Sequence, residues 1–126
     1  MKLNQRAKKL AVILLGSSGD NAGAVHTSLQ QLDNLIKKNA RFRSLLQSKR
    51  ISNDKRTEIL REVLASSCHT IAIEFLGLIA EEKSVQLIRQ VIKAYDALYK
   101  EKAGIVIDGD TQRRVFLIFR ELIESN

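Results

Sequence analysis

The chain of 126 residues contains no proline and no tryptophan. Proline breaks helix interiors and punctuates loops, so its absence suits helices joined by short polar links. There is one cysteine, Cys68, which excludes an intrachain disulfide and any disulfide framework. Aromatic residues make up only 5% of the chain. No apolar run approaches the roughly 20 residues that a bilayer-spanning helix needs. The only histidines are His26 and His69. Neither sits at ligand spacing from other metal-binding side chains, and adjacent Cys68-His69 supplies two ligands at most. Both histidines read as surface or capping residues, and Cys68 as a small buried hydrophobe. Glu81-Glu82 and Asp108/Asp110 are carboxylate pairs with nothing nearby to shift a pKa. Gly16-x-x-Gly19 lacks the lysine and the preceding strand of a phosphate-binding loop. The sequence therefore points to no enzyme, no cofactor and no metal site.

Hydrophobic residues make up 44%, enough for one domain with a core and no staples. The net charge is +7, and it is unevenly placed. Residues 1–10 carry +4, and residues 37–61 carry nine bases against Asp54 and Glu58. The basic start, with Lys2, Arg6, Lys8 and Lys9, lacks the serine enrichment of a transit peptide and runs on into a helical pattern, so it reads as mature protein. The stretch 37–61 is either a solvated face or an electrostatic contact for an acidic protein surface, an anionic membrane or nucleic acid. Nucleic acid would call for interleaved aromatics; only Phe42 is there, at a core-like position.

Helical spacing of Leu3, Ala7, Leu10 and Leu14 predicts a first helix over 3–15, followed by a loop over 16–21. A second helix carries Val25, Leu29, Leu32, Leu35 and Ile36 on one face, with Asp20 or Asn21 as its cap and Asn39 at its end. A short third helix over 40–47 turns Phe42, Leu45 and Leu46 inward. Ser52 or Asn53 caps a fourth, with Ile59, Leu60, Val63 and Leu64 inward. The fifth, over 69–82, is apolar on nearly every side from Ile71 to Ile79, which predicts the buried centre of a bundle and a core position for Phe75. Ser84 caps a sixth, with Ile88, Val91, Ile92, Tyr95 and Leu98 inward. Gly104 closes it as a C′ residue. Beyond it, Ile105-Val106-Ile107 is β-like, Asp108-Gly109 is a turn, and Thr111 caps a last helix to about Glu124 that is apolar nearly all round.

The run Phe42-x-x-Leu45-Leu46, Ile51-Ser52, Lys55-Arg56, Ile59-Leu60-x-x-Val63-Leu64, Phe75-Leu76-x-Leu78-Ile79-Ala80-Glu81 and Ala94-Tyr95-x-x-Leu98-Tyr99, closing on Gly104, resembles the N-terminal domain of the ATP synthase delta subunit, the oligomycin-sensitivity-conferring protein of mitochondria. The resemblance covers about residues 3–104. It implies an all-α six-helix bundle over 1–104, with 105–126 a short strand-turn-helix remnant of a C-terminal domain. It also implies a non-catalytic stator subunit of the peripheral stalk of a rotary proton-translocating ATP synthase. Such a subunit would lie peripherally, on the cytoplasmic face of the bacterial inner membrane, and touch the membrane only indirectly. Its partners would be the N-terminal helix of the alpha subunit and the b-type subunits of the stalk.

In the family the partner helix lies in a groove between the first and fifth helices. The matching residues here are Arg6, Lys9, Ile13, Ile71, Glu74 and Leu78. The family's Tyr-Ala-x-Ala-Leu is here Arg6-Ala7-Lys8-Lys9-Leu10, and its Asn-Phe-Leu is Glu74-Phe75-Leu76. The core positions fit, while the groove gains charge; Arg6 and Lys9 opposite Glu74 would favour a partner helix with charges of its own. Val106-Ile107-Asp108-Gly109, with Arg113-Arg114-Val115 after it, looks like the family's extreme C-terminus, as though the middle of a second domain were deleted; an alternative alignment places Ile105–Thr111 at the start of the second domain, with truncation after it. Stalk docking then falls to Phe116, Phe119 and Ile123, a surface that could also pair with a second copy. The alternative is a small basic all-helical RNA-binding module of the transcription antitermination type, matched in size and helix count only.

Overall fold

The computed structural model describes residues 2–104, and these form an all-α bundle. The β-like segment, the last helix and the stalk-docking residues Phe116, Phe119 and Ile123 lie outside the described residues. The helices are α1 (Leu3–Ser18), α2 (Ala22–Lys38), α3 (Ala40–Gln47), α4 (Asn53–Leu64), α5 (Thr70–Ala80) and α6 (Val85–Gly104), with a 3-10 turn, Gly19–Asn21, between α1 and α2.

The loop expected over 16–21 is mostly helix. Ser17 and Ser18 donate their hydroxyls to the carbonyls of Ile13 and Leu14, four residues back, at 2.8 and 2.7 Å. That pattern keeps a serine inside a helix. The chain turns only at Gly19, whose φ of 52° suits a residue without a Cβ. Asn21 stands at the start of α2 but makes no side-chain cap, and nor is one made by Asp20; the preceding 3-10 turn feeds α2 directly.

The other caps fall where the side chains allow. Asn39 ends α2 and also caps α3 by accepting from the Phe42 amide at 3.0 Å. Ser52 accepts from the Lys55 amide at 3.2 Å, Ser84 from Leu87 at 3.1 Å, and His69 Nδ1 from Ile71 at 3.1 Å. Each satisfies an amide that the first helical turn leaves without a partner.

The most extensive pairing is α1 against α6. Ala7 and Ala11 are small and fully buried, which lets the two backbones approach. From α6 come Leu87, Ile88, Val91, Ile92 and Tyr95, all buried. Helix α2 also packs on α6, through a face that buries Val25, Leu29, Leu32 and Ile36. Helix α5 is therefore not an enclosed centre. It packs most extensively on α4 and also touches α6, α2 and α1. Leu78 is 63% exposed, and Phe75 is only partly buried against the core. The apolar circumference of α5 reflects packing on two sides plus an open edge.

Gly77 explains how α4 comes so close. A Cβ there would meet Thr57 Oγ1 at 2.8 Å. On α4 the inward stripe is Arg56, Leu60 and Leu64 at i, i+4 spacing. Val63, expected inward, is 57% exposed.

Among the described residues, Arg56 is the largest side chain with no exposure. Its guanidinium donates to the carbonyls of Leu45 (3.1 Å), Ile51 (3.2 Å) and Ser48 and to Asn53 Oδ1 (2.8 Å). A rigid fork with five donors can satisfy this many acceptors at once. It replaces regular backbone pairing in the link between α3 and α4.

Candidate partner-docking site

Helices α1 and α5 touch, and an ion pair between Arg6 and Glu82 ties the start of α1 to the residues just after α5. Of the six residues expected to form a groove here, Ile13 on α1 is 39% exposed and Leu78 on α5 is 63% exposed. These are two of the three large hydrophobic side chains exposed among the described residues; the third is Val63 on α4. Lys9, Ile71 and Glu74 are partly buried, and Arg6 is exposed. Leaving large aliphatic groups in water gives up roughly 1.5–3 kcal/mol each relative to burial. An amphipathic partner helix could recover part of that.

The charges are arranged differently from the expectation of Arg6 and Lys9 opposite Glu74. Arg6 pairs with Glu82. Glu74 turns toward α4 and accepts from Arg61 Nε at 2.7 Å and from its terminal nitrogen at 2.9 Å. The Arg61 hydrogen bonds hold the Glu74 carboxyl below the usual range, and the Arg6 hydrogen bond does the same for Glu82. These pairs are exposed and contribute little to stability. Their effect is to neutralise Arg6 and Glu74 within the chain, so a partner helix need not bring matching charges for them. Glu74 and Leu78 also line a cleft of about 320 Å³ between α4 and α5, with Asp54, Thr57, Arg61 and Glu81. Leu78 thus lies on the α4 side of α5.

The sequence reading missed a cluster between α2 and α6. His26 Nε2 lies 2.6 Å from Asp96 Oδ1. A carboxylate can only accept, so Nε2 carries the proton. The imidazole stacks on Tyr99, ring centroids 4.3 Å apart. Tyr95 donates to the Ala22 carbonyl at 2.9 Å. Asp96 is also 3.1 Å from Lys100, and its carboxyl is held below the usual range, chiefly by His26. His26 is thus a structural link between helices and not a surface residue. The spacing Tyr95-Asp96-x-x-Tyr99-Lys100 was the available signal, since it places all four on adjoining helix positions. Cys68 is half-buried, and burial pushes its thiol pKa up, away from a reactive thiolate. Among the described residues no group of three metal-ligating side chains occurs. No described helix is long and apolar enough to cross a membrane.

Residues 10–107 match the family model for the ATP synthase delta (OSCP) subunit. The chain belongs to that family. It is 23% identical over 97 residues to the ATP synthase subunit delta of Trichlorobacter lovleyi, covering 76% of this chain and 54% of that protein. It is 30% identical over 103 residues to the ATP synthase subunit delta of Chlorobium phaeobacteroides, covering 79% of this chain and 56% of that protein. The chain thus matches about half the length of these delta subunits. No solved structure matches it. Membership accounts for the ordered run of core positions, since Phe42, Leu46, Leu60, Leu64, Leu76, Ile79 and Tyr95 are all buried.

Proposed function

We propose that this delta-family chain is a non-catalytic stator subunit of a rotary ATP synthase, linking the catalytic head to the peripheral stalk. Its helical bundle, residues 1–104, is the head-binding unit. It receives the N-terminal helix of the alpha subunit in the groove between α1 and α5, at Arg6, Lys9, Ile13, Ile71, Glu74 and Leu78. The observation that carries this reading is the exposure of Ile13 and Leu78 on two touching helices of a family member. Helix-in-groove recognition anchors apolar side chains at i, i+3, i+4 and i+7 spacing, and the Arg6–Glu82 and Arg61–Glu74 pairs leave Arg6 and Glu74 already compensated. Stalk attachment through Phe116, Phe119 and Ile123 to b-type subunits completes the proposal, with the complex held peripherally at the membrane.

Calorimetry with a peptide of the cognate alpha N-terminus tests the groove. The expected result is binding to the full chain and its loss in Leu78→Asp, which places a carboxylate on the apolar edge. Because Leu78 is mostly exposed, the variant should keep its thermal transition within a few degrees, in line with the small effects of surface substitutions. Unchanged affinity in a folded Leu78→Asp protein would move the site away from α5.

A further inference from the structure

Residues 34–53 contain six bases and no acid. Two of the six are engaged: Lys37 approaches Asp33 at 3.8 Å, and Arg43 donates to the carbonyls of Ile36 and Lys37 at the end of α2. The side chains of Lys38, Arg41, Lys49 and Arg50 are exposed and have no partner among the described residues. They belong to the same stretch of chain as one feature. A cleft of about 450 Å³ lies beside α3, lined by Ala40, Arg41, Ser44, Leu45, Ser48 and Ile51. Arg41 is on its wall, Lys49 and Arg50 sit between the lining residues Ser48 and Ile51, and Lys38 precedes it at the α2–α3 junction. We propose that this face, a shallow cleft lined by Leu45 and Ile51 with Arg41 on its wall and with Lys38, Lys49 and Arg50 next to its lining residues in the chain, docks an acidic protein segment that seats an apolar side chain there.

Three observations favour protein over other anions. A bilayer is met by protruding apolar groups beside the cations, but the large exposed hydrophobics among the described residues are Ile13, Val63 and Leu78, none of them here. Leu45 and Ile51, the large apolar groups lining the shallow cleft, are partly buried. Single-stranded nucleic acid is held by exposed aromatic stacking platforms, and the one nearby aromatic, Phe42, is 6% exposed. Aliphatic Leu45 and Ile51 offer instead a seat for one apolar side chain, with the cations placed to meet carboxylates around it. The cleft is also rigidly built, because buried Arg56 holds the carbonyls of Leu45, Ser48 and Ile51.

The test is a titration of the isotope-labelled full chain, followed by backbone amide shifts, with three probes in parallel. The first is a synthetic helix of Glu, Ala and Leu with leucines at i, i+4 spacing. The others are phosphatidylserine/phosphatidylcholine vesicles and single-stranded oligouridylate. The expected result is peptide-induced shifts centred on residues 38–51. Affinity should fall about tenfold when salt is raised severalfold, as exposed charges are screened. It should fall by a further factor of roughly ten or more in Arg41→Glu/Arg50→Glu, and replacing the leucines of the peptide by serine should also weaken it. Arg41→Gln/Arg50→Gln, with smaller loss, guards against a folding artefact, and both variants should keep the wild-type thermal transition. No shift at 38–51 at millimolar peptide overturns the proposal. So does tighter binding of vesicles or oligouridylate at this face, or full affinity for the leucine-free peptide.

Discussion

Replacing Arg56 by Met keeps the length and apolar stem of the side chain and removes every donor. Three backbone carbonyls and Asn53 Oδ1 then lose their partner at a site with no exposure. Hydrogen bonds to a charged group contribute about 1.5–3 kcal/mol each, and a buried acceptor left unsatisfied costs about 1–3. Four such losses are not additive, because the α3–α4 link can open and let water reach some carbonyls. Removing the cation also relieves its own desolvation cost of several kcal/mol. The net expected loss is therefore about 3–5 kcal/mol, against a typical domain stability of roughly 5–15. Arg56→Lys should lie between, since three donors on a point charge cannot span four acceptors. Urea unfolding followed by circular dichroism measures both. Hydrogen exchange should show the amides of 45–56 losing protection first in Arg56→Met. A loss under 1 kcal/mol would refute the view that this guanidinium holds the link.

Gly77→Ala should destabilise by about 1–3 kcal/mol through overpacking against Thr57, and Thr57→Ala, which removes both the Oγ1 and the methyl that the new Cβ meets, should recover part of that in the double variant; a neutral Gly77→Ala in denaturant unfolding would show that α4 yields freely. Lys83, between α5 and α6, has a φ of 53°; Lys83→Gly should gain about 1 kcal/mol by relieving a left-handed conformation, and a lowered melting temperature would contradict it. The Asp96 carboxyl is lowered in the folded state, first by the His26 hydrogen bond and then by Lys100. Its contribution is therefore present above the ordinary Asp value of about 4 and is lost as pH falls through the lower folded value. Asp96→Asn should be less stable than wild type at neutral pH, with the gap closing on acidification; a gap constant with pH in parallel urea titrations would count against the linkage. Leu78→Asp, tested with the alpha peptide, completes the set.

Helix existence and the caps at Ser52 and Ser84 were legible because they depend on neighbours in sequence. The 3.6 period located the apolar faces, and Ser52 and Ser84 bond amides three residues ahead, whereas the cap expected from Asp20 or Asn21 is not made and Asn39 caps α3 besides ending α2. Errors arose where an outcome depended on a distant element. Val63 fits a helical stripe as well as Leu60 does, yet the position of α5 puts it in water. Arg56 reads as one more surface base, and only the folding back of the α3–α4 link turns it into a core residue. Glu74 was assigned opposite Arg6 because both belong to the groove positions; α4 lies on the other side of α5 and supplies Arg61 instead. Periodicity finds the inward direction of a helix with one neighbour. It does not rank the sides of a helix such as α5, which has neighbours on two.

The same distinction separates the two surfaces argued for this chain. At the α1–α5 edge, Arg6 and Glu74 are satisfied within the fold, and what remains unsatisfied is apolar: Ile13 and Leu78. At the α3 cleft Leu45 and Ile51 are partly buried, and Lys38, Arg41, Lys49 and Arg50 have no partner among the described residues. A surface of the first kind gains chiefly from area removed from water, which salt barely weakens. A surface of the second kind gains from unscreened charge over distances of about a Debye length, so it steers encounter and fades as salt rises. On the two proposals, one small bundle would hold two partners by different physics, at surfaces on different helices. Arg56 serves the second surface from inside the core: its donors are committed to the carbonyls of residues 45, 48 and 51, which belong to the lining of the cleft. The charge that holds the carbonyls of the cleft lining is buried, and the cations that would meet the proposed partner are the four of this stretch without a partner among the described residues.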